Sequence, residues 1–185
     1  MTRPLQWALA AVGHADPRAR LYDHVAFYLR QWLPEDRVVL ARHMPRDRGE
    51  RIPIVVIDHR GLMVIEPRDD EGDLLCYQDH WYRRVDGRVA RIIGDPPSLR
   101  ARENALRLQR DLGTGGVTSV PVDALVLLTR GRPDDVRSSC VPVVTGLDPL
   151  VRVLLARDTA SADPARTRAL TDALAHNIKA TSTSY

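Results

Sequence analysis

Apolar residues first recur at helical spacing at Leu21, Val25, Tyr28, Leu29, Trp32 and Leu33, a single stripe along one helix. Asp16-Pro17 ahead of them offers an N-cap and a proline at the first helical position, and Pro34 ends the pattern. Arg37 to His43 reads as a strand, followed by a charged loop from Pro45 to Arg51. Ile52 to Asp58 and Leu62 to Glu66 are β-branched apolar runs around a tight Arg60-Gly61 turn, the signature of a hairpin. A charged turn, 69–73, leads to a strand at Leu74 to Gln78. Asp86-Gly87 then separates Trp81–Val85 from Arg88–Ile93 as a second hairpin.

Helical spacing returns after Asp95-Pro96-Pro97 with Leu99, Ala105, Leu106, Leu108 and Leu112, and Gly113 reads as its stop. Thr114 to Ser119 is a glycine-bearing linker and Val122 to Thr129 a buried strand. A polar loop, Arg130 to Ser139, precedes a short strand at Val141 to Thr145. Asp148-Pro149 opens a helix to about Arg157, and Asp163-Pro164 opens another with Leu170, Leu174 and Ile178 on one face. Strands that are apolar on both faces need covering on both. The expectation is α/β (α+β): a central mixed β-sheet flanked by helices. At 185 residues this suits one domain, with 1–16 an N-terminal extension and 181–185 a frayed tail.

Composition narrows the classes. A hydrophobic fraction of 44% argues against intrinsic disorder. No apolar run approaches the ~18 residues of a membrane span. The stretch Trp7 to Val12 is shorter than the ~7–15 residues of a signal-peptide core. Cys76 and Cys140 lack any CxxC spacing, which leaves out a zinc ribbon or a disulfide framework and leaves a single bridge open. The expected location is cytoplasmic, with no membrane partner. Net charge is only +3, yet its distribution is uneven. His80 to Arg110 holds eight arginines against Asp86, Asp95 and Glu103, beginning with Trp81 and Tyr82. Arginine beside aromatic rings can hold phosphates and stack bases. Arg83, Arg84, Arg88, Arg100, Arg102 and Arg107 are the candidate nucleic-acid contacts. The competing reading places them on solvated strand edges and a helix face. The preceding segment, 66–73, holds five acids and one arginine, so the surface reads as dipolar.

The first hairpin brings chemistry together. Glu66 and Arg68, two apart on a strand, share a face. A two-residue Arg60-Gly61 turn pairs Asp58 with Met63, Val55 with Glu66 and Pro53 with Arg68, putting position 53 on that face and Asp58 on the other. A four-residue turn keeps this parity, whereas a three-residue turn reverses it.

VVIDHRGLMVIEPR, GDLLCYQDHWYRR and DPPSLRARENALRLQRDL together resemble the bacterial nuclease-related domain, a branch of the restriction-endonuclease-like fold. The resemblance covers roughly Arg20 to Thr129. It implies a magnesium site built from an acidic residue in the first hairpin strand and a Glu-x-Lys in the second. There two carboxylates hold a hard cation while the lysine stabilises water or charge. A glutamine in the following helix and an acid in the first helix assist. Here Glu66 stands at the glutamate, Arg68 at the lysine, Pro53 at the aspartate and Leu99 at the glutamine. Asp23 or Glu35 could supply the first-helix acid. Arginine keeps the charge but is a poor base, and proline offers no ligand.

The implied function is a catalytically degenerate nuclease-related domain, a pseudonuclease with vestigial Glu66 and Arg68 that binds nucleic acid or a protein partner and needs no cofactor. One alternative is a Mg2+- or Mn2+-dependent nuclease whose second ligand is relocated to Asp58, Asp69 or Asp70, with Glu66 and Asp58 the favoured metal pair. A purely structural interaction module is the other. The six histidines show no H-x-H or HExxH spacing, and His59 reads as a turn residue. Gly113, Gly115 and Gly116 lack the Lys-Ser/Thr of a phosphate loop.

Overall fold

The computed structural model describes residues 16–92, 94–117, 120–157 and 164–182. Among the described residues, four helices and nine strands are ordered α1(Pro17–Trp32), β1(Val38–His43), β2(Ile52–Ile57), β3(Leu62–Arg68), β4(Asp73–Tyr77), β5(His80–Val85), β6(Arg88–Arg91), α2(Pro97–Thr114), β7(Val122–Leu128), β8(Arg132–Asp135), β9(Val143–Thr145), α3(Leu147–Ala156) and α4(Pro164–Ser182). The fold is α+β with mixed sheets flanked by helices, as the apolar pattern requires. The proposed extension up to Ala15, Ile93, the end of the tail at 183–185 and the side chain of Ile178 lie outside the described residues.

Five strands form the main sheet in the order β1-β2-β3-β7-β9. β1, β2 and β3 are an antiparallel meander, and β3, β7 and β9 run parallel. β2 is buried along its whole length and β3 up to Arg68. Alternate residues feed two cores. Ile54, Val56, Met63 and Ile65 pack with Val25, Leu29, Leu150 and Leu154 of α1 and α3. Val55, Ile57, Leu62 and Val64 pack with Leu108, Leu112, Leu170 and Leu174 of α2 and α4.

Two features depart from the sequence expectation. The expected single sheet is two, because β4, β5, β6 and β8 form a separate four-stranded sheet. A strand edge accepts one partner, and the buried strand β7 takes the free edge of β3 from Leu62 to Arg68, leaving β4 to pair elsewhere. β4 pairs instead with β5 and, in parallel, with β8. β8 (RPDD) falls inside the expected polar loop; it is exposed at every position, so its pairing depends on backbone groups and leaves no apolar mark. The Trp81 indole N–H donates to Ser98 Oγ at 2.9 Å, tying the second sheet to α2.

The hairpin turn is the other departure. Ile57 pairs with Leu62 and Ile54 with Ile65, so four residues, 58–61, make the turn and the register slides by two from the expected one. Parity survives, as an even slip must. The paired register ends at Ile54↔Ile65, one residue short of Pro53 and Glu66.

Candidate functional site: an arginine where a cation would stand

Glu66 lies in the last buried stretch of β3, on the face covered by α2, and is 1% exposed. Its Oε1 lies 3.5 Å from Arg100 Nε, while buried Oε2 meets no hydrogen-bond donor. Arg100 sits in the first turn of α2, and its Nη2 also donates to the Glu50 carboxylate on the loop after β1. One guanidinium therefore bridges two carboxylates. Burial pushes the Glu66 pKa up to about 7, against the pull of Arg100 and Arg68. Burial also opposes the Arg100 charge, but Glu66 and Glu50 prevail and raise its pKa above the ordinary value. Tyr22 of α1 faces the same spot; burial, then the Glu66 charge, raises its phenol.

Arg68 is held elsewhere, its Nε 2.7 Å from Asp70 Oδ2. Asp58 belongs to the turn. Its Oδ1 accepts the Arg60 and Gly61 amides at 2.9 and 3.0 Å, and its Oδ2 takes Arg157 Nε at 2.8 Å. Asp58 and Glu66 flank opposite ends of β3, separated by ~13 Å of strand, so they do not share one cation. Of the first-helix acids, Asp23 pairs with Arg42 at 3.3 Å. Glu35 lines a different cavity, with Asp36 and Thr167. Leu99 is 36% exposed near the start of α2. His59 is buried between Asp36 at 2.7 Å and Thr167 at 3.2 Å, a clip from the turn to α4. Both cysteines are free.

A divalent cation does not fit the residues around Glu66. Magnesium keeps close to ideal octahedral geometry with oxygen ligands. Here Pro53, just beyond the part of β2 paired with β3, brings no carboxylate, and a guanidinium already faces the Glu66 oxygen. Among the described residues, no group of three or more His, Cys, Asp or Glu side chains is placed to hold a metal.

The six candidate arginines do not form one patch. Arg83 and Arg88 border an open groove on the β5–β6 hairpin with Val85, Asp86 and Ala90. Arg84 pairs with Asp134 at 2.6 Å. Arg102 lines a cleft with Cys140 and Val141. Arg107 is spent on the loop before β2, donating to both Asp47 oxygens and the Glu50 carbonyl. Arg100 alone reaches Glu66.

Sequence reasoning missed the groups around Arg100. Arg18 of α1, Arg42 of β1 and Arg51 before β2 join Arg100, Tyr22 and Glu50 around a cavity of about 220 Å3. They come from four separated segments, so no spacing marks them. Comparison with protein-family models, curated proteins and solved structures finds no match for this chain.

Proposed function

We propose that this chain is a catalytically degenerate nuclease-related domain that binds nucleic-acid phosphates at the Pro53 end of its main sheet without cleaving them. The observation that carries the reading is the Arg100 guanidinium between Glu66 and Glu50, a fixed cation where the resembled family would hold a metal. The order helix, three-stranded antiparallel meander, helix, parallel strand in the main sheet supports the same resemblance. What the spot lacks is a metal ligand set. Burial brings Glu66 to a pKa of about 7, so roughly half of it is ionised near pH 7, but it stands as one carboxylate facing Arg100, and Arg68 is engaged by Asp70. A guanidinium binds phosphate well but cannot take a proton from water.

Cleavage assays on DNA and RNA with manganese, run for wild type, Pro53→Asp/Arg68→Lys and Glu66→Ala, test this. We expect no cleavage by wild type, together with retained oligonucleotide binding. Wild-type cleavage that Glu66→Ala abolishes would overturn the reading and require a relocated second acid.

A further inference from the structure

We propose that the arginine-lined cavity beside Glu66 is a site for a phosphomonoester dianion, with the Glu50 carboxylate as its internal competitor; this rests on the phosphate-binding reading above. Arg18, Arg42, Arg51 and Arg100 line it with Asp16 and Glu50, while Asp23 neutralises Arg42 and Glu66 faces Arg100 from outside the lining. The two arginines outside these ion pairs, Arg18 and Arg51, match the two charges of a dianion rather than the one of a phosphodiester. The four cations are not equally engaged. Arg42 pairs with Asp23 and Arg100 with Glu50 and Glu66. Arg51 donates to the Arg42 carbonyl at 3.5 Å, and neither it nor Arg18 pairs with a carboxylate among the described residues. These two guanidinia are therefore available, and planar bidentate donors suit phosphate oxygens.

Size points the same way. At about 220 Å3 the cavity falls below the ~300–1,000 Å3 of sites that enclose a whole drug-sized ligand. That leaves room for a phosphate group but not for a whole drug-sized ligand. The start of α1 adds little, since Pro17 has no N–H and the Arg18 amide already donates to Asp16 at 3.0 Å. Glu50 is 59% exposed on its side chain and sits on a loop, so its carboxylate can yield Arg100 to an incoming phosphate.

The site serves either a nucleic-acid end or a free phosphate ester, and a binding experiment separates them. Full-length protein is titrated with labelled single strands bearing 5′-phosphate, 3′-phosphate or hydroxyl ends, and separately with a mononucleotide and inorganic phosphate. We expect a phosphorylated end to bind at least tenfold tighter than the hydroxyl strand. Arg18→Gln and Arg51→Gln should each remove that preference with an unchanged melting temperature, and Glu50→Gln should tighten binding severalfold. Strands bound equally whatever their ends would overturn the inference and leave phosphate binding standing. Mononucleotide or phosphate binding that needs Arg18 and Arg51, without strand binding, would support the cavity and overturn the nucleic-acid reading. Binding of none of these probes would overturn both.

Discussion

Glu66 is buried near the end of β3 with one carboxylate oxygen facing no donor, and burial outweighs the nearby guanidinia in raising its pKa to about 7. The folded state thus holds the Glu66 proton more tightly than the unfolded chain, whose ordinary value is 4.5. Its contribution is fully present below pH 4.5 and is lost as pH rises through 7. Glu66→Gln keeps the neutral shape at every pH. Its stability should match wild type near pH 4, gain on it between pH 4.5 and 7, and level off above at up to about 3 kcal/mol. Urea midpoints at four pH values check this; a constant difference between the two proteins would contradict it. The strand alternation around Glu66 was legible because it is a property of the local chain, but its cross-strand partner was not: the expected register set Val55 against Glu66, and the four-residue turn slides it by two. That Arg100 would face Glu66 was not legible either, since a helical residue 34 positions on has no sequence relation to a strand end.

Among the elements, the β2–β3 hairpin shows how a turn controls the site. Gly61 closes it at φ +152°, and a Cβ there would come within 2.2 Å of the Pro121 carbonyl oxygen. That oxygen also accepts the Leu62 amide at 3.0 Å, seating β7 beside β3. Gly61→Ala should cost about 2–4 kcal/mol, combining backbone strain with overpacking. Denaturant unfolding measures it, and a cost below half a kilocalorie per mole would show that the turn relaxes freely. The apolar run and Arg60-Gly61 announced a hairpin, yet not its loop length. The Asp58 carboxylate decides that by accepting the amides of residues 60 and 61, while Arg157, 99 positions away, neutralises it. Helices α1 and α2 were legible from their stripes, though α2 runs past Gly113 to a cap at Gly115. Gly113 has open space beside it and no unusual φ, so the helix passes through.

For the molecule as a whole, charge is dispersed. A net +3 and arginines divided among a hairpin groove, a cleft and the Glu66 cavity give no continuous basic track among the described residues. Binding of single strands should therefore depend on salt with a log–log slope of only about −2 to −3, the yield of a few released counterions. It should discriminate little among base sequences. Titrations from 50 to 300 mM salt measure the slope; a value near −8, or strong preference for one sequence, would refute this dispersed picture. By itself the sequence determined the helices and every strand except β8, that both faces of the central strands are covered, and that Glu66 and Arg68 lie two apart on one strand. Each follows from local periodicity. Only the tertiary structure decided that the strands divide into two sheets, that RPDD becomes an edge strand, and that Arg100 stands between Glu66 and Glu50 with Arg18, Arg42 and Arg51 around it. Those outcomes depend on which element wins a sheet edge and which side chains meet across the core. Such competitions are settled by burial and charge between distant segments, and no short stretch of sequence contains both sides of them.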